Sequence, residues 1–285
     1  MRVSFRLVDV FTPRPLAGNQ LCVVPEPPGD LDAATMQAIA REIGFSETTF
    51  VTQAEGDRYA MRVFTPGQEL PFAGHPTLGT AFVLVREGRV SPRATQVVAA
   101  GEFAVEVDLE HGFAWMTQLP AAIGEPFAEP GLLARAAGLS RDDLAPGYPA
   151  QVVNAGLPHL IVPVRDTHTL RRAERAGPLV GDVCRSSGAE AMYLFAVAEH
   201  GITARMFDWE LGVGEDPATG SAAGPLGAYL AEHGLAGMPG RILVRQGEQV
   251  DRPSELHVEV FREGGAWRPR VGGGVHVVGH GEFEL

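Results

Sequence analysis

The stretch Gly214-Glu215-Asp216-Pro217-Ala218-Thr219-Gly220-Ser221-Ala222-Ala223-Gly224 sets an acid and a hydroxyl among small residues at the mouth of an apolar segment. Upstream, Phe72-Ala73-Gly74-His75-Pro76-Thr77-Leu78-Gly79 opens another apolar run. Each follows a strand-like segment carrying Arg-x-Phe, Arg205-Met206-Phe207 and Arg62-Val63-Phe64 respectively. Self-similarity of this kind means one duplicated unit, here with a domain-sized period rather than a solenoid's short one. Two similar halves with one site between them are therefore expected. Residues 1–118 form the first, with 272–285 able to return to it, and 119–271 the second; Gln118-Leu119-Pro120 is the crossing.

Working outward, Val3, Phe5 and Leu7 alternate with polar neighbours, and Leu21 to Val24 resumes a strand after the Gly18-Asn19 turn. Asp30 or Asp32 can cap a helix whose Met36, Ile39, Ala40 and Ile43 share a face, and Gly44 can end it. Phe45 to Val51 and Tyr59 to Thr65 read as strands. From Pro76 to Arg86 the chain is apolar nearly all round, which predicts a buried helix. The order restarts with Gln151 to Val153, a break at Asn154-Ala155-Gly156, and Leu160 to Val164. A helical stretch from Thr169 to Ala176 follows, then strands from Ala191 to Val197 and Ile202 to Phe207, then the run from Gly220 towards Gly234. Val275 to Val278 and Phe283 are terminal strand residues suited to pairing with the first half.

Composition narrows the function. The chain has 285 residues, 45% hydrophobic and 20% charged, the balance of a globular protein rather than a disordered or membrane-spanning one. A net charge of −12 with scattered Arg argues against a nucleic-acid partner. Met1 to Arg6 alternates and lacks the apolar stretch of a signal peptide, so no membrane association and a cytoplasmic location are expected. Cys22 and Cys184 are the only cysteines, too few for a disulfide framework or a multi-Cys zinc site, and both read as small core residues.

Helices beginning near Gly74-His75 and Gly220-Ser221 would present backbone N–H groups and positive dipole ends suited to an anion. With approximate twofold symmetry they face each other, and His75, Asp216, Thr219 and Ser221 converge on a carboxylate-bearing substrate. Singly, His75 and Ser221 are also ordinary N-cap residues and Asp216-Pro217 an ordinary turn; their matched places favour the joint reading. Glu47 lies in a strand of Thr and Phe, where apolar surroundings would raise its pKa and suit it to exchanging a proton near neutrality. Periodicity serves an exposed position there equally well. His276 and His280 read as strand surface rather than a metal pair. His159, after Pro158, reads as capping or lining a turn, with substrate contact the lesser reading, and Asn19 is a turn residue kept as a ligand contact. Gly212-Val213-Gly214 lacks the spacing and the acidic residue of a dinucleotide fingerprint, and Gly214 to Ser221 lacks the Lys of a phosphate loop.

Together, the Gly18-Asn19 turn, Ser46-Glu47-Thr48, Phe72 to Thr77 and Glu215 to Ala222 resemble the phenazine biosynthesis PhzF-like family over essentially the whole chain. That resemblance implies an α+β, diaminopimelate epimerase-like fold: two pseudo-symmetric halves, each with a mixed sheet or open barrel around a central helix. It implies Glu47 as general acid/base, His75 and Asp216 holding and orienting substrate, and Gly74, Gly220 and Ser221 binding its carboxylate, with Asn19, Ser46 and Thr219 as further contacts. The implied activity is a cofactor-independent isomerisation without metal, nucleotide or flavin. The implied substrate is trans-2,3-dihydro-3-hydroxyanthranilate or an analogue, and the implied assembly a homodimer. The fold's racemases and epimerases use two cysteines at the mouths, where this chain carries Ala73 and Thr219. That disfavours two-thiol racemisation. A hydrolase using Ser221, His75 and Asp216 lacks the Gly-x-Ser-x-Gly elbow, and a non-catalytic ligand-binding protein is the remaining alternative.

Overall fold

The structure, a computed structural model, describes residues 1–209, 214–235 and 241–285. Gly212 and Val213 of the run weighed as a dinucleotide turn lie outside them. Two compact units emerge: Met1–Thr117 with Gly272–Leu285, and the described residues between Gln118 and Val271.

In the first unit, β1 (Arg2–Val10) and β2 (Asn19–Val24) form an antiparallel pair across a tight connection. Gly18 adopts φ 73°, and a Cβ there would stand 2.3 Å from the Val10 carbonyl oxygen, so only glycine fits the turn. Helix α1 (Ala33–Ile43) crosses to β3 (Glu47–Glu55), which runs parallel to β2. Asp32, rather than Asp30, caps α1 by accepting the Thr35 N–H at 2.7 Å, and Gly44 ends it at φ 68°. β4 (Arg58–Phe64) returns antiparallel to β3, and the two-residue β5 (Glu69–Leu70) returns to β4.

Next comes α2 (Gly74–Arg86), buried from Gly74 through Val85. It begins at Gly74, as expected for a mouth near Gly74-His75, two residues before the apolar run that starts at Pro76, and the extended residue preceding it is Ala73. β6 (Arg93–Val98) then runs parallel to β4, and β7 (Gly101–Asp108) and β8 (Phe113–Thr117) follow antiparallel. Strands β1, β2, β3, β6, β7 and β8 all pack on α2. A helix apolar on every side loses stability unless enclosed, and this sheet encloses it.

The second unit repeats the order. β9 (Ala122–Pro126) and α3 (Pro130–Ala136), which periodicity did not reveal, precede the antiparallel pair β10 (Gln151–Asn154) and β11 (Pro158–Pro163). At its turn the Asn154 side chain accepts the Gly156 N–H at 2.9 Å. The expected single helix over 169–176 is replaced by two. Asp166 caps α4 (Thr167–Arg172) early, Ala173 turns extended at ψ 137°, and α5 (Gly177–Ser187) begins afresh. β12 (Ala191–Ala198) lies parallel to β11, β13 (Gly201–Phe207) antiparallel to β12, and β14 (Glu215–Asp216) antiparallel to β13.

Then α6 (Gly220–Glu232) is buried from Gly220 through Leu230, as α2 is in its own unit. β15 (Ile242–Gln246) and β16 (Ser254–Glu263) follow. The last strand, β17 (Ala266–Glu284), supplies the C-terminal segment of the first unit, where Val275 pairs with Val10 and Phe283 with Val3.

The Arg-x-Phe segments acquire a physical meaning. Arg62 and Arg205 each grip a carboxylate at the entry to the mouth with two nitrogens: Glu69 at 2.7 and 2.6 Å, Glu215 at 2.8 and 2.6 Å. Each guanidinium also lies over the phenylalanine two residues on, at 5.1 and 4.9 Å from the ring centroid. The pairs differ in burial, with side-chain exposures of 34% and 42% for Arg62 and Glu69 against 7% and 15% for Arg205 and Glu215. Arg205 also donates to the carbonyls of Leu170 and Ala173. Removing one member of a buried pair leaves an uncompensated charge, at a cost of about 3–5 kcal/mol, whereas exposed pairs contribute about 1 kcal/mol or less. Arg205→Ala should therefore lower stability several times more than Arg62→Ala in urea unfolding, and equal losses would contradict this account.

Candidate active site

In the first unit, parallel pairing sets Glu47 opposite Leu21 and so brings Ser46 and Asn19 to the same end of neighbouring strands. Asn19 is buried and Ser46 half-buried. Glu47 is not on an exposed face: its side chain is 13% exposed and its Oε2 lies 3.4 Å from Nε2 of His75. Burial drives the His75 pKa from 6.5 down to about 3, so the ring is neutral. Nε2 also lies 3.2 Å from the Gln20 carbonyl oxygen, which only accepts. The proton is therefore on Nε2, directed to the Gln20 carbonyl with Glu47 Oε2 close by, and Nδ1 is left as an acceptor.

His75 is the second residue of α2, not its cap. The preceding Ala73 has no side chain able to cap, and the first turn of this buried helix carries no side-chain cap bond. Below it, Thr77 donates to the Ala73 carbonyl at 2.8 Å and to Gln96 at 3.0 Å, and Tyr59 donates to the Thr77 carbonyl at 3.2 Å. These contacts fix the start of the helix within its own unit.

The second unit brings Asp216, Thr219, Gly220 and Ser221 together. The Thr219 hydroxyl donates to Oδ2 of Asp216 at 2.6 Å. Gln246, at the end of β15, braces this turn from beneath: its amide nitrogen donates to the Asp216 carbonyl at 2.7 Å and to the Thr219 hydroxyl at 3.0 Å. Its oxygen accepts from the Tyr193 hydroxyl at 2.9 Å and from the Thr219 N–H at 3.2 Å. Ser221 is the second residue of α6, again preceded by a residue, Thr219, that makes no side-chain cap bond. Its hydroxyl lies 3.0 Å from Nε2 of His159, which is 1% exposed and whose pKa burial also drives down to about 3.

The sequence-derived residues thus form two sets, one in each unit. Their ordinary roles as caps do not hold, because Ala73 and Thr219 occupy those positions. Reading His159 as a turn residue was a miss: it lies within β11 and is buried against α6, from a partner 62 residues away. Gln246 was also missed; a glutamine closing the Ile242-Leu243-Val244-Arg245 strand just before a glycine was the available signal. Ser221 pairs with His159 and Asp216 with Thr219, which is not the acid-imidazole-hydroxyl chain of a hydrolase. Both cysteines are buried, and burial pushes their thiols up to about 12, so neither is a thiolate base near neutrality. His276 lies in β17 with Nε2 3.2 Å from the Thr12 carbonyl. Among the described residues no three His, Cys, Asp or Glu side chains cluster as metal ligands, and no helix is long and apolar enough to cross a membrane.

A central buried helix wrapped by mixed sheet, occurring once in each unit, defines the diaminopimelate epimerase-like class. A hydroxyproline epimerase from Agrobacterium vitis shares this fold at 14% identity, with a TM-score of 0.67 over 99% of this chain and 92% of its own. Far nearer is a Pseudomonas aeruginosa protein described as a predicted epimerase, with a TM-score of 0.88 and 36% identity over 99% of both chains. Residues 8–281 match the model of the phenazine biosynthesis-like proteins, and the chain belongs to this PhzC-PhzF family. The trans-2,3-dihydro-3-hydroxyanthranilate isomerase of Pseudomonas aeruginosa is 35% identical over 253 residues, 88% of either chain.

The buried neutral histidines make stability pH-dependent. Unfolded, His159 takes up a proton near pH 6.5; folded, it does so only near 3. Its contribution is whole above 6.5 and is lost as pH falls through that window, amounting to roughly 2 kcal/mol by pH 5. The Tm should fall between pH 7.5 and 5, and His159→Phe should flatten that fall in thermal melts; an unchanged slope would refute the assignment.

Proposed function

We propose that this protein is a cofactor-independent isomerase that moves a proton on a small carboxylate, trans-2,3-dihydro-3-hydroxyanthranilate or an analogue, with Glu47 as its acid and base. The observation that carries this reading is the shielded Glu47 carboxylate held 3.4 Å from a neutral His75 at the start of a buried helix. Glu47 removes the proton from C3 as the double bonds shift and returns it at C1, so one carboxylate works on one face of the ring. His75 and Asp216 orient the reacting group. The uncapped starts of α2 and α6, with Gly74, Gly220 and Ser221, receive the substrate carboxylate, and Asn19, Ser46 and Thr219 complete the contacts.

Support comes also from what occupies the positions of a thiol pair. Ala73 and Thr219 cannot serve as paired proton carriers, and both cysteines are buried thiols at about 12. The isomerase named above is a relative over most of the chain. The family resemblance further supports a homodimer acting in the cytoplasm, independent of metal, nucleotide and flavin.

Glu47→Gln keeps the shape and removes the proton carrier, so turnover of trans-2,3-dihydro-3-hydroxyanthranilate should drop by about 10²–10⁴-fold. Deuterium uptake from heavy water into the product should vanish with it. Undiminished turnover in this variant would rule out Glu47 as the base, and ligand binding without any product from the unaltered protein would favour a non-catalytic role.

A further inference from the structure

His159 belongs to none of the groups assigned above, yet it is a fully buried imidazole in contact with one of them. Its Nε2 lies 3.0 Å from the Ser221 hydroxyl, while Nδ1 is buried with no hydrogen-bond partner among the described residues. Two neutral tautomers satisfy the first contact. With the proton on Nδ1, Nε2 accepts the serine hydroxyl, and a buried N–H is left orphaned. With the proton on Nε2, the ring donates to the Ser221 oxygen and leaves only a lone pair unsatisfied at Nδ1. Orphaned buried N–H groups are the rarer and costlier outcome.

The first unit offers a built-in comparison. His75, like Ser221, stands at the second position of its buried helix and, like His159, is neutral, and the Gln20 carbonyl fixes its proton on Nε2. The parallel pairs set Leu21 opposite Glu47 and His159 opposite Ala191. His159 therefore stands on its strand where Leu21 stands on the other, one place beyond Gln20. In each unit the second helical residue is tied to the first strand of the parallel pair, through a backbone carbonyl in one and an imidazole in the other.

We infer that His159 is a positioning residue that donates its Nε2 proton to Ser221, turning the serine hydroxyl outward as a hydrogen-bond donor to an anionic oxygen of the substrate. The alternative arrangement would spend the hydroxyl proton on the ring and leave Ser221 able only to accept, which repels a carboxylate. The same geometry removes His159 as a base for a nucleophilic serine, since a protonated Nε2 cannot take the hydroxyl proton. Its identification as a carboxylate donor rests on the proposed function; the direction of the hydrogen bond does not.

Long-range proton–nitrogen correlation spectra of the intact protein labelled with ¹⁵N-histidine test the direction, with His159→Gln assigning the signal. Nε2 protonated and Nδ1 bare is the expected pattern, and a proton on Nδ1 overturns the inference. Binding of 2-aminobenzoate and of neutral 2-aminobenzamide then tests the role. His159→Leu should weaken the carboxylate probe by about tenfold and the amide little, a hydrogen bond to a charged group being the stronger kind. His159→Gln, which retains an N–H near Nε2, should restore most of that affinity. Equal losses for both probes would indicate a merely structural residue and overturn the role. If the unaltered protein binds neither probe, the reading of the substrate falls, and the tautomer alone decides the inference.

Discussion

A helix without a polar face has to be enclosed, and that requirement organises both halves of this chain. From Gly74 to Val85 and from Gly220 to Leu230 the two helices are buried, so the strands around each must curve about it rather than lie against one side. Enclosure removes ordinary solvent from the helix starts, where backbone donors are in excess. A sequence that placed Ser or Asp at the cap would spend those donors on itself. Here Ala73 has no group to offer, and Thr219 gives its hydroxyl to Asp216 instead. The packing constraint and the uncapped helix starts are thus one feature, and the proposed anion site rests on it.

The same enclosure sets the protonation of the groups around it. His75 and His159 are both driven to about 3, so neither carries charge at neutral pH, and each acts through the position of a single proton. A neutral ring 3.4 Å from Glu47 sets a polar group beside the carboxylate without the full attraction of a cation. An imidazolium in its place would hold the glutamate tightly ionised and weaken it as a base. A neutral neighbour therefore suits the proposed role of Glu47, which binds and releases a proton in turn.

Local rules made the first helix legible: Asp32, the apolar face and Gly44 lie within one short segment, and each acts on its neighbours. The α+β class and the repeated mouths were legible because Arg-x-Phe, a carboxylate and a glycine-led helix recur in order. Long-range contacts hid the rest. Whether Glu47 points inward depends on β2 beside it and His75 beyond, neither of which affects its local alternation. His159 follows a proline and resembles a turn until β11 pairs with β12 and α6 packs above it. The break between α4 and α5 depends on Ala173, whose carbonyl is taken by the buried Arg205.

Duplication also shows where the two halves have stopped being equivalent. Pairing sets Glu47 opposite Leu21 in one parallel pair and Ala191 opposite His159 in the other, so the half with a carboxylate on its crossover strand has an apolar partner. The half with an imidazole has alanine across from it. A second carboxylate at position 191 would stand beside His159 and draw its proton away from Ser221, converting a donor hydroxyl into an acceptor. One unit carries a carboxylate beside an imidazole whose proton is fixed by Gln20; the other carries the inferred donor relay, with no competing partner for its proton among the described residues. The scaffold is repeated, but its proton inventory is divided, and a single acid/base group is consistent with that division.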